Sequence, residues 1–108
     1  MDKAREAFHT WLVSVLGSEN VYFQPPESLK MQYPAVLYAR SNIQNRYADN
    51  TVYTQQTAYE LTVVDKNPDN DWVRLLSVLP FCRFDRHYKA DNLNHDVFTI
   101  YFSRRYNE

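Results

Sequence analysis

The stretch Phe81-Cys-Arg-Phe-Asp-Arg-His-Tyr-Lys-Ala-Asp-Asn-Leu-Asn-His-Asp-Val-Phe-Thr-Ile-Tyr-Phe102 decides the fold. Its ends alternate aromatic or aliphatic side chains with polar ones, and its middle is rich in Asp, Asn and His. That pattern predicts two aromatic strands, about 81–88 and 96–104, joined by a polar loop. In the second strand Phe98, Ile100 and Phe102 point one way and Val97, Thr99 and Tyr101 the other, because side chains alternate along a strand. Two His and three Asp in so short a span also raise a chemical question. They form either a metal or catalytic site, or a loop shaped by its own hydrogen bonds at a protein–protein contact.

Upstream of this stretch, Asn67-Pro-Asp-Asn-Asp71 predicts a turn that opens a helix. Asn67 is the expected cap, Pro68 suits the first helical position, and Asp69 and Asp71 favour the positive end of the helix dipole. Trp72, Leu75, Leu76 and Leu79 form its apolar stripe, and Pro80 stops it. Residues 52–65 read as a strand with Tyr59, Leu61 and Val63 on one face and Glu60 and Thr62 on the other. At about 3.3 Å per residue such a strand reaches roughly 46 Å. Its first part, 51–57, is therefore expected to leave the body or to bend. Residues 41–50, with Arg46, Asp49 and several Asn, are polar throughout and predict a projecting loop.

Ala35-Val-Leu-Tyr-Ala-Arg40 is apolar on both faces until Arg40, which suits a central strand. Residues 21–24 predict a short strand ended by Pro25-Pro26, neither of which has an N–H to give to a ladder; residues 27–32 follow as a loop. Residues 2–16 carry the clearest helical signal. Ala4, Ala7, Phe8, Trp11, Leu12, Val15 and Leu16 follow helical spacing, with Lys3, Arg5, Glu6, Thr10 and Ser14 on the other side. Asp2 is the expected cap and Gly17 the left-handed stop. This is a core-packing stripe, and its polar side lacks the Lys/Arg richness of a membrane-surface helix.

The order is therefore α-β-β-β-α-β-β. It predicts an α+β fold in a single domain, residues 1–108, with a mainly antiparallel sheet and two helices packed on one face. The other face carries Tyr, Thr and charges, and is either solvated or an interface.

Composition narrows the function classes. A chain of 108 residues, 44% hydrophobic and 16% aromatic, has the apolar content for one core. Its formal net charge of -1 gives none of the basic excess that grips a phosphate backbone. Cys82 is the only cysteine, so no intrachain disulfide forms. No apolar run approaches the roughly 20 residues that span a bilayer, and no membrane partner is expected. Asp2 and Glu6 open the chain without a cleavable apolar segment, so a secretory signal is not expected. Gly17 is the single glycine, which leaves turns to Asn, Asp and Pro and excludes a Gly-rich phosphate loop.

A metal site would draw on His87, Asp91, His95 and Asp96. Zinc sites favour tight ligand pairs with a second His/Cys pair; none is present, and His9 is remote in sequence. Cys82, near Phe81 and Phe84, reads as a small core residue. Glu60, Asp65 and Asp85 resemble a nuclease carboxylate set but lack an accompanying Lys motif. Tyr53, Tyr59, Phe84 and Tyr101 are of the type that stacks single-stranded bases; without a basic excess they read more simply as core or interface. No catalytic, metal-binding or cofactor-binding residue is assigned, no cofactor is expected, and the chain is not expected to be an enzyme.

Four segments carry a resemblance: Lys30-Met-Gln-Tyr-Pro-Ala-Val-Leu-Tyr-Ala-Arg-Ser41, Tyr47-Ala-Asp-Asn50, Tyr59-Glu-Leu-Thr-Val-Val-Asp-Lys-Asn-Pro-Asp69 and the run from Leu79 to Phe102. They resemble the small tail-terminator and head–tail joining proteins of long-tailed (siphovirus-like) bacteriophages, and the resemblance extends over nearly the whole chain. The resemblance implies a structural virion protein of the tail and neck, assembled in the host bacterial cytoplasm. It implies a homo-oligomeric ring, commonly a hexamer, that caps the tail tube. The implied partners are the major tail tube protein and a head completion or connector protein. The resemblance further implies that genomic DNA passes through the lumen without sequence-specific binding. A head-completion role in the same neck region is the alternative, followed by a small nucleic-acid-binding module. The resemblance brings no residue-level site. Aromatic and Arg residues are favoured anchors at subunit contacts, and the candidate contact residues are Arg40, Tyr53, Arg83, Asp85, Arg86, His87 and Asp91.

Overall fold

The computed structural model describes residues 3–25 and 30–105, without the side chains of Tyr53 and 103–105. The element order is α1 (Lys3–Leu16), β1 (Val21–Phe23), β2 (Ala35–Ala48), β3 (Thr51–Asp65), α2 (Asp71–Ser77), β4 (Cys82–Ala90) and β5 (Leu93–Arg105). The strands form one sheet in the order β1-β2-β3-β5-β4. Among the described residues only the β1–β2 pair is parallel. The architecture is α+β, with two helices and a mostly antiparallel sheet. The expected cap at Asp2, Pro26 and the first half of the expected loop at 27–32 lie outside the described residues.

α1 follows its apolar stripe. Phe8, Leu12 and Leu16 are buried, and Gly17 ends the helix at φ 67, its N–H donating to the Val13 carbonyl at 2.9 Å. A residue without Cβ takes that left-handed backbone at no steric cost. Phe8 stacks on Tyr59 of β3 with centroids 4.0 Å apart and meets Tyr38 and Phe102 edge-on. The buried cluster joins Phe8, Leu12 and Leu16 of α1 and Leu76 of α2 to Val36, Tyr38, Tyr59, Leu61, Val63, Phe98 and Ile100 of the sheet. Each large apolar side chain buried there stabilises the fold by about 1.5–3 kcal/mol. Trp11 and Trp72 are only partly buried and pack against the edge of this cluster.

Two expected loops are strands. The polar run at 41–50 continues β2 as far as Ala48, and Asp49 (φ 53) and Asn50 (φ 64) make a two-residue turn into β3. The expected polar loop at 89–95 is likewise the end of β4, a turn at Asp91 (φ 54) and Asn92 (φ 62), and the start of β5. Two positive φ values in succession are what a type I′ hairpin turn needs, and Asp and Asn accept them. Polarity misled the reading because a strand exposed on both faces shows no apolar alternation. Residues 40–51 are all exposed. They form the outer part of a ribbon in which β2 pairs with β3 out to Ala48↔Thr51, and β3 with β5 out to Thr54↔Arg105. This arm stretches the molecule to 52 × 27 × 22 Å and its radius of gyration to 14.9 Å, against about 13 Å for a compact chain of this length.

α2 starts later than expected. Asn70, not Asn67, is the cap: its side chain accepts from the Trp72 N–H at 2.7 Å. Asn67 instead accepts from the Asp69 N–H at 2.9 Å in a preceding Asx turn. The helix is two turns long and ends at Ser77, because Pro80 disfavours helical backbone at the residue before it. Leu75, expected in the apolar stripe, is exposed, whereas Leu76 is buried.

Candidate functional site

Arg83, Asp85, Arg86 and His87 lie on β4, and Asp91 in the turn after it. A register shift between Phe84 and Arg86 places a bulge at Asp85. Such a bulge reverses the alternation beyond it. Arg83 then lies opposite Thr99, Arg86 opposite Val97 and Tyr88 opposite His95, all on the face away from the buried cluster. Arg83 Nε donates to Asp85 Oδ1 at 2.9 Å, and the Thr99 hydroxyl donates to Asp85 Oδ2. The Thr99 bond first, and Arg83 after it, hold the Asp85 carboxyl below its ordinary range. The Arg86 guanidinium stands 5.8 Å from the Tyr88 ring centre, and Tyr88 stacks on His95 at 4.6 Å. Arg83, Asp85 and Arg86 are therefore brought together, joined by the unforeseen Tyr88, His95 and Thr99.

The bulge turns His87 to the opposite face, where its Nδ1 meets Asp96 Oδ1 at 2.7 Å. His87 and His95 thus face away from each other and cannot share an ion. Among the described residues no group of three His, Cys, Asp or Glu side chains has metal-binding geometry. Glu60 and Asp65 likewise point to opposite faces of β3, and Asp65 is engaged by the Asn70 side chain at 2.7 Å. Arg40 is on β2, exposed, opposite Tyr59 and next to a second bulge. Tyr53 belongs to the β3 arm by its backbone, and its side chain lies outside the described residues. Asp91 caps the far end of the β4–β5 hairpin. The seven candidates are therefore spread over both faces and both flanks of the sheet, with one cluster on β4.

Two concavities flank the core. The larger, about 630 Å³, runs between α2 and β4 and is lined by Asp69, Val73, Arg74, Ser77, Phe84 and Asp96 among others. Phe84 packs edge-on against the buried Phe98 at 5.3 Å. Asp96 is buried and bonded to His87. The Ser77 hydroxyl donates to the Arg74 carbonyl at 2.7 Å. Burial first, and Asp85 second, push the Cys82 thiol up to about 11, which keeps it protonated at neutral pH. The smaller cavity, about 280 Å³, lies between α1 and the β1–β2 pair. There the Arg5 guanidinium sits 4.1 Å above the Phe23 ring, and His9 Nδ1 is 2.7 Å from the Tyr38 hydroxyl.

One prominent feature was not readable from sequence. Phe81 is exposed and left-handed at φ 62, with its carbonyl accepting from the Tyr101 N–H at 2.9 Å. Bulky side chains rarely adopt that backbone, and no residue pattern announces it. Val78 and Leu75, just upstream, are also exposed. Comparison with models of protein families finds no match to this chain, and comparison with curated proteins finds none.

Proposed function

We propose that this protein is a non-catalytic structural subunit of a long-tailed bacteriophage virion, one copy of a ring that terminates the tail tube and joins it to the head. In this reading both helices cover one face of the sheet, and the other face, with the two flanks, is left for assembly. The reading draws its identity from the sequence resemblance. The observation that supports it is the inequality of the two flanks. The β2–β3 side carries a polar arm with no core of its own. The β4 side carries an aromatic and Arg-bearing strand beside a groove. A ring made of identical subunits needs two different, complementary surfaces on each. The tail tube protein and a head completion protein would then meet the two open ends of the ring, with DNA passing through the lumen. A head-completion role in the same neck uses the same architecture.

Complementation of a phage lacking this gene tests the reading. Expression of the protein is expected to restore tails of uniform length joined to heads. Tails that form and join with no copy of the protein present refute it.

A further inference from the structure

We infer that the outer edge of β2 pairs with the same edge of a second copy of this chain, antiparallel about Asn45, so that two arms join in one sheet. The two open edges of the sheet are built differently. β4 is blunted in the ways that keep strands from joining. Arg83, Asp85, Arg86, His87 and Lys89 lie along it, and a bulge at Asp85 breaks its line. β2 lacks this protection beyond Tyr38, where its pairing with β1 ends. Among the described residues no strand lies on its outer side from there to Ala48. The run Asn42-Ile-Gln-Asn-Arg-Tyr-Ala48 holds one charge, Arg46, and neither Pro nor Gly. Both irregularities of the β2–β3 pairing spare it: one adds Ser41 to β2 ahead of the run, and the other adds Tyr53 to β3. Ile43, Asn45 and Tyr47 therefore share one face of β2, with Ile43 44% and Tyr47 66% exposed.

The spacing of these side chains selects a second copy as the occupant. Antiparallel edges of identical chains are related by a two-fold axis normal to the sheet, and residues opposite one another share a face. With the axis at Asn45, Ile43 of each copy lies opposite Tyr47 of the other, Arg46 opposite Gln44, and Asn45 opposite itself. Aromatic and β-branched side chains are favoured cross-strand partners. The exposed Ile and Tyr of the run thus cover each other twice, once on each side of the axis. An axis at Gln44 instead sets Ile43 opposite Asn45 and Tyr47 opposite Ser41, and an axis at Arg46 sets two Arg46 side chains against each other. The run therefore complements itself in one register. Pairing with β4 of another copy would bring Arg83, Arg86 and Lys89 toward Arg46, and like charges across strands are destabilising. The two-fold contact closes at two copies, so it does not depend on the ring reading. Its short length places it in the weak, reversible class of interfaces.

Sedimentation equilibrium of the full chain, from about 0.01 to 1 mM, tests this. The wild type is expected to show a dimer of about 26 kDa. Ile43→Glu and Tyr47→Lys alter exposed positions, and circular dichroism is expected to show both folded. Each alone is expected to self-associate about tenfold more weakly than the wild type. Mixed in equal amounts, they are expected to regain the dimer. The new carboxylate of one then faces the new ammonium of the other across the axis, and the second Ile43–Tyr47 pair stays native. A wild type that stays monomeric throughout overturns the proposal. Single variants that keep wild-type association overturn it too, because the joint then lies elsewhere. A mixture that associates no better than either variant alone overturns the register and with it the proposal. Phage complementation judges the ring separately.

Discussion

Tyr38 concentrates several of the forces described above in one side chain. It is buried, bonded to His9, and packed between Phe8, Phe23 and Tyr59. Burial pushes its hydroxyl up to about 12, with Arg5 opposing. A raised folded-state value means that the unfolded chain gives up this proton first. The stabilisation is therefore complete below about pH 10 and is lost as the pH rises toward 12. Tyr38→Phe is expected to flatten that alkaline limb in urea unfolding and to cost about 0.5–1.5 kcal/mol at neutral pH through the lost bond to His9. Phe8, fully buried and stacked, ranks above both tryptophans: Phe8→Ala is expected to cost about 3–5 kcal/mol, and Trp11→Ala or Trp72→Ala less, because those side chains are only partly buried. Chemical denaturation of the three variants checks the ranking. Equal losses would place the tryptophans in the core. Their stripes were readable from spacing; how deep each ring sits was not, because depth depends on how far Phe102 and the sheet edge extend over it.

At the scale of elements, helix α1 and the inward residues of β3 and β5 were legible, since apolar spacing alone sets their faces. The β3 half of the arm was legible as a strand too long for the body, but the β2 half was not, because solvent on both faces removes the alternation by which strands are read. The faces of β4 were hidden for a different reason. One inserted residue at Asp85 reverses every side chain after it, and no local composition marks a bulge. The start of α2 was displaced because Asn67 and Asn70 are both competent caps, and the choice falls to the one whose side chain also reaches Asp65. The turns offer a direct test. Asn50 has φ 64, where glycine is the preferred residue of a type I′ turn. Asn50→Gly is expected to stabilise the arm by up to about 1 kcal/mol, measured as slower amide exchange at residues 44–56. Faster exchange would rule out that turn geometry.

At the scale of the whole molecule, the prediction concerns assembly. Under the proposed ring, six copies of 12.9 kDa would weigh about 77 kDa, a mass that native mass spectrometry of the protein, free or released from tails, is expected to find. Arg86 stands near Tyr88 on the face away from the buried cluster. Arg86→Glu is expected to leave the melting temperature within about 2 °C, as surface changes usually do, while impairing head–tail joining. Normal joining by this variant would remove that face from the contact.

The two tight turns also bear on how the chain reaches its native state. Each closes a hairpin between neighbours in sequence, β2 with β3 and β4 with β5, and hairpins of this kind zip in about 1–10 μs. The pairing of β3 with β5, by contrast, joins partners as distant as Leu61 and Phe98 and must first close the segment that holds α2. Loop-closure entropy makes that the slow event. The β2–β3 hairpin that closes first already carries Tyr38 and Tyr59, the rings on which Phe8 of α1 packs, so α1 is expected to find part of its surface before β5 arrives and to gain Phe102 after it.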